Sequence, residues 1–129
     1  MNQQLWDKMV EEHGHSCMGL AIGYRMAEEA KRIFSKDEKI CCVAPSSVSS
    51  CSVDGVCLDL GLSLFTGTMR LSDKAEGFIF FAEDDDEGWL MRTKKLDVAP
   101  EADPVFLILA SARDNLFDIE PCDIPIAKS

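Results

Sequence analysis

Both histidines of the 129-residue chain and one of its six cysteines fall within five consecutive positions, in the segment His13-Gly14-His15-Ser16-Cys17. Imidazole nitrogen and thiolate sulfur are ligands favoured by zinc and its first-row neighbours, and Gly14 gives the backbone freedom to bring flanking side chains together. A metal-binding turn is the chemistry this pattern supports; a surface loop whose histidines bind nothing is the plain alternative. A further cysteine, Cys51, opens a helical pattern just after the cap-rich stretch 46–50. A thiol in a first turn meets unpaired N–H groups and the positive end of the helix dipole, and both favour the thiolate. Asp54 lies three residues on along the same face, as a ligand, an orienting partner or a first-turn capping carboxylate.

The residues by themselves leave both readings open; the metal site, with zinc as first choice, is the leading expectation once the family resemblance given below is added. His15, Cys17 and Cys51 are the expected ligands and His13 is the fourth candidate. His13 and Asp54 are also the candidates for orienting or acid/base groups. His13, His15 and Cys17 stand so close in sequence that placing all three on one ion demands a strongly bent backbone. Three protein ligands would leave an open position for hydrolytic or lyase-type chemistry, whereas four would make the site structural or sensing. Two readings of other classes compete. One is metal-free chemistry, with Cys17 or Cys51 as nucleophile and a histidine as base. The other is a non-catalytic dimeric interaction module whose seam is the small-residue row Gly19, Gly23 and Ala27.

Composition narrows the partners. The length predicts one domain over 1–129, and 47% apolar residues suffice for a core without disulfides. The longest apolar runs, such as 105–110, fall far short of a bilayer span, and no basic segment with an apolar signal core opens the chain. A cytoplasmic location is therefore expected, with reduced cysteines serving as ligands, nucleophiles or core residues. No CxxC pair is present, and a formal charge of -10 without a local Lys/Arg cluster opposes nucleic acid and anionic lipid as partners.

The elements that must position the site follow from periodicity. Leu5, Trp6, Met9 and Val10 mark a short amphipathic helix over 2–12, and Leu20, Tyr24, Ala27, Ala30 and Phe34 mark a longer one through Ser35. Small residues at Gly19, Gly23 and Ala27 would let another helix approach closely. A charged turn leads to the apolar run 40–44, a buried strand that ends at Pro45; adjacent Cys41 and Cys42 face opposite ways there, which disfavours joint metal binding. Val53, Val56, Leu60 and Leu64 continue the third helix, with Cys57 read as core. Residues 77–81 and 89–91 flank the acidic run 83–88 as a β-hairpin with a solvated turn. A loop over 97–103, a short apolar helix or strand over 105–112, and an edge strand or extended tail over 116–126 complete the chain.

The run from His13 to Ala27 resembles the N-terminal signature HGHxCPGLAxGxRxA of the formylmethanofuran dehydrogenase E-subunit family, named for an accessory component linked to a molybdenum or tungsten enzyme. Cys51-Ser52-Val53-Asp54 resembles its CxVDAIQ block, and the stretch from Gly88 to Arg92 resembles its later GxxxR segment. Met18 replaces the family's proline, Leu62 and Thr66 replace a cysteine and a lysine, and Cys57 replaces a glutamine. The family's C-terminal zinc-finger module is not expected, so the chain reads as a core-domain member. The resemblance implies an α+β fold with helices on a mostly antiparallel sheet. It also implies an intertwined homodimer and a metal-associated pocket formed by the HxHxC turn and the cysteine-bearing helix. Loss of the second cysteine and the lysine puts any chemistry that needs them in question, and the small-molecule substrate or partner enzyme is left open.

Overall fold

The structure, a computed structural model, describes residues 2–83, 85–96 and 98–123. The first helix, α1 (Gln3–His13), starts where the Asn2 side chain accepts a hydrogen bond from the Leu5 N–H at 3.0 Å, and it buries Trp6 and Met9 from the predicted face. Helix α2 (Met18–Ile33) buries Leu20, Tyr24, Ala27 and Ala30 and stops two residues before the predicted end. Helix α3 (Ser50–Leu60) stops at Gly61, whose φ of 71° is the left-handed cap conformation. Leu64, expected on this helix, therefore sits in the following loop and is 56% exposed.

The small-residue row does what its spacing predicts, but the helix it admits is α3 of the same chain. A Cβ on Gly23 would lie 2.2 Å from the Ser52 carbonyl oxygen and 3.0 Å from the Gly55 Cα. One on Gly55 would lie 2.7 Å from the Leu20 carbonyl oxygen. The two backbones meet directly, so Gly23 and Ala27 are buried inside the protein and this row is not available as a dimer seam. Gly55, on the facing helix, completes the crossing.

Five strands form one sheet in the order β2-β1-β3-β4-β5. They are β1 (Ile40–Pro45), β2 (Met69–Ser72), β3 (Phe78–Ala82), β4 (Glu87–Thr93) and β5 (Phe117–Asp123). Among the described residues only β1 and β2 run parallel, giving the mostly antiparallel α+β fold expected. The predicted hairpin is β3 and β4, with Glu83 and Asp85 exposed at its turn; Asp84 lies outside the described residues. Phe78, Phe80 and Cys42 face the helices, while Ile79, Phe81 and Cys41 join Val43, Ala75 and Leu90 in a second cluster on the other face. The adjacent cysteines thus face opposite ways, as read from the strand period, and both are buried. Strand β2 has no counterpart among the predicted elements because four residues at a sheet edge carry little periodicity. The 105–112 segment resolves as helix α4 (Pro104–Ala110), and β5 is an edge strand that tolerates Pro121; residues 124–126 and Asp97 lie outside the described residues. Between them runs the short α5 (Arg113–Leu116).

Arg25 fixes α4 onto α2. Its Nη1 donates to the carbonyl oxygens of Ile108 at 2.7 Å, Leu109 at 3.1 Å and Ser111 at 2.7 Å, satisfying the end of a helix with too few residues to hold itself. Among the described residues no helix is long and apolar enough to cross a membrane.

Candidate metal centre

Three chain segments converge on the HxHxC turn. Helix α1 presents His13 in its last turn, and Gly14, at φ 104°, reverses the chain in a conformation that side-chain-bearing residues rarely adopt. Cys17 follows in extended conformation as the N-cap of α2. The close α2–α3 crossing then brings Cys51, in the first turn of α3, against Gly19, where an added Cβ would come within 2.7 Å of the Cys51 Cβ. One donor atom from each of His13, His15, Cys17 and Cys51 lies within 4.8 Å of the other three. The strong bend demanded by the short spacing is supplied by Gly14.

This group fits a tetrahedral ion. Bonds of about 2.0 Å to nitrogen and about 2.3 Å to sulfur set donor-to-donor distances of roughly 3.3–3.8 Å. Side-chain rotations that close gaps of about 1 Å reach those distances from the arrangement present. The donors are two imidazoles and two thiols, a set that suits zinc and disfavours hard cations such as calcium.

Asp54 orients the group. Its Oδ2 lies 2.6 Å from His13 Nδ1. A carboxylate can only accept, so Nδ1–H donates and Nε2 is left as the free nitrogen, 3.8 Å from the Cys17 sulfur. This hydrogen bond is the main cause of the raised His13 basicity, with burial opposing it. The Cys51 thiol is lowered, first by its hydrogen bond with Cys17 and then by that with His13. The Cys17 thiol is raised, above all by burial. Cys17 also accepts from the Leu20 N–H at 3.4 Å, a weak sulfur cap where serine or aspartate would hold the helix better. Such a local rule given up is what a functional position looks like. On α3 the cap is conventional: Ser49 Oγ accepts from the Cys51 N–H at 3.1 Å.

The other sequence candidates lie elsewhere. Cys57 is half-buried beside the helix-side core, its thiol pushed up to about 11 by burial, and it is outside the donor group. Leu62 packs on the core, and the Thr66 hydroxyl lies 2.9 Å from that of Thr68. Both follow the C-terminal end of α3, about 15 Å along the helix from Cys51. A partly buried ion network joins α2 and α3, and its cross-helix half has no signal in the sequence. Lys31 bridges Glu28 on its own helix and Asp59 of α3, the latter at 2.6 Å with its side chain fully buried. Burial pushes the Asp59 carboxyl up to about 7.

A family described as FmdE, molybdenum formylmethanofuran dehydrogenase operon, matches residues 12–113 of the chain. No curated protein matches it. The matched region contains α2, α3, the hairpin and all four donors of the site. The chain belongs to this formylmethanofuran dehydrogenase E-subunit family and corresponds to its core domain.

Proposed function

We propose that this protein binds a transition metal, zinc foremost, through His13 Nε2, a nitrogen of His15, Cys17 Sγ and Cys51 Sγ. The observation that carries this reading is the convergence of four such donors, from the contiguous stretch 13–17 and from the distant first turn of α3, within 4.8 Å. Asp54 holds the His13 ring in the tautomer that leaves Nε2 free, the usual arrangement behind a ligating histidine. His15 is exposed and rests its ring on that of His13, with centroids 4.7 Å apart. It is the most readily displaced of the four. With His15 in place the site is closed, which favours a structural or sensing role; without it three ligands remain and a position opens. With His13, Cys17 and Cys51 as its holders, such a site would supply Lewis-acid chemistry.

We also infer a homodimer, because Leu64 and Phe65, 56% and 98% exposed after α3, form an apolar tip that a second copy would cover. A chain with six cysteines and no disulfide among the described residues suits the reducing cytoplasm. One observation favours a second reading of the site. Asp54, His13 and a thiol stand in the order carboxylate, imidazole, nucleophile, which suits metal-free cysteine chemistry.

Elemental analysis of protein purified without chelator separates the two. About one zinc per chain, lost in His13→Ala and Cys51→Ala variants that still fold, supports the metal site. Absence of metal, together with rapid alkylation of Cys51 at neutral pH, overturns it in favour of the thiol reading.

A further inference from the structure

We propose that Cys17 and Cys51 form a reversible intrachain disulfide that empties the metal site, making the centre responsive to peroxide. This rests on the metal reading above. Both sulfurs belong to one donor group within 4.8 Å, yet they come from different elements, the cap of α2 and the first turn of α3. A disulfide needs about 2.0 Å between sulfurs and about 3.8 Å between Cβ atoms. The first turn of α2 and Cys51 already touch, since Gly19 leaves no room for a Cβ against the Cys51 Cβ. The two thiols already share a hydrogen bond, and rotation about their Cα–Cβ bonds is the motion that would close the remaining gap. The cost on the α2 side is small, because the Leu20 N–H gives up only a weak sulfur acceptor. Both thiols are partly exposed, whereas Cys41 and Cys42 are buried.

The chemistry balances with hydrogen peroxide as the oxidant. One thiolate attacks a peroxide oxygen, forming S–O and breaking O–O, and the departing hydroxide takes up a proton as water. The second thiolate attacks that sulfur, forming S–S and breaking S–O, and a second water leaves. Two thiols are oxidised and one peroxide is reduced. With both sulfurs in the disulfide, only His13 and His15 remain as donors, too few to hold an ion tightly.

The test treats the reduced, zinc-loaded full chain with equimolar hydrogen peroxide, follows zinc release with a chromogenic chelator, and maps cross-linked peptides by mass spectrometry. The expected result is a loss of two hydrogens in mass, a peptide joining Cys17 to Cys51, release of most of the zinc, and recovery of both after a dithiol reductant. Cys122→Ser, remote from the site on β5, responds like the parent, whereas Cys17→Ser and Cys51→Ser do not form the cross-link. Zinc that stays bound without a cross-link, at a dose that oxidises Cys122, overturns the inference and leaves the metal site standing. A chain that never holds zinc but forms the Cys17–Cys51 bond overturns the metal reading, and the release step with it, while supporting the disulfide.

Discussion

Gly23→Ala is expected to loosen the α2–α3 crossing and with it the proposed metal centre. Alone, the exchange should stabilise α2 by about 1 kcal/mol, because alanine is the better helix former. The structure reverses that sign. The new Cβ would stand 2.2 Å from the Ser52 carbonyl oxygen, against an ordinary contact of about 3.3 Å, so the helices must part by roughly 1 Å. The nearest atoms are all backbone, which cannot turn aside, and overpacking of this kind costs about 3 kcal/mol. The net loss is about 2 kcal/mol, or roughly 6–8 °C in Tm for a chain of this size. Cys51 moves with α3, so zinc affinity should fall by about tenfold or more. Thermal melts with chelator present isolate the packing effect from metal linkage, and a competition titration reads the affinity. Gly61→Ala is the control. Its site has φ 71° and no atoms within 4 Å, so it should lose only about 1 kcal/mol of backbone strain and keep its zinc affinity. A Gly23→Ala protein that melts at or above the parent temperature, as helix propensity alone dictates, would refute the close-crossing argument.

Asp54→Asn should leave the fold intact and weaken zinc binding by about 10–100-fold, read by competition with a zinc indicator, because the amide cannot hold His13 Nδ1–H as a carboxylate does. Between about pH 4 and pH 7 the unfolded chain ionises Asp59 while the folded chain retains its proton, so this group makes stability fall as pH rises through that window. Glu28, lowered in the same network, opposes it; urea midpoints should therefore show that Asp59→Asn removes the falling component and tilts the profile upward with pH. Arg25→Met should cost about 2–3 kcal/mol by stranding the three carbonyl oxygens, with faster amide exchange confined at first to α4. Phe65→Ser should shift the protein toward monomer in sedimentation without changing its helix content, because Phe65 is 98% exposed in the single chain.

Much of the molecule is legible in local pattern. The faces of α1 and α2, the opposed cysteines of β1, the hairpin, and the placing of Cys51 in a first turn all follow from periods of 3.6 and 2.0 and from capping chemistry. Residue type and spacing mark His13, His15 and Cys17 as candidate ligands, and only the family resemblance adds Cys51 to them. Local pattern fails where the decisive contacts are between distant residues. The apolar spacing that runs through Leu64 says nothing of the left-handed Gly61 that ends α3 earlier, and β2 is defined only by its pairing with β1. Gly55 has no meaning until α2 lies across it, the Asp59 carboxyl has no cation in its own helix, and nothing in α2 announces that Arg25 reaches the carbonyl groups that end α4. The choice among possible ligands is likewise tertiary. That imidazole and thiol groups gather at a glycine-hinged turn is legible in residues 13–17, because it is a matter of residue type and a few backbone torsions. That Cys51 meets them and that Asp54 claims His13 Nδ1 is a matter of long-range packing, because those contacts depend on two helix backbones touching at Gly23 and Gly55.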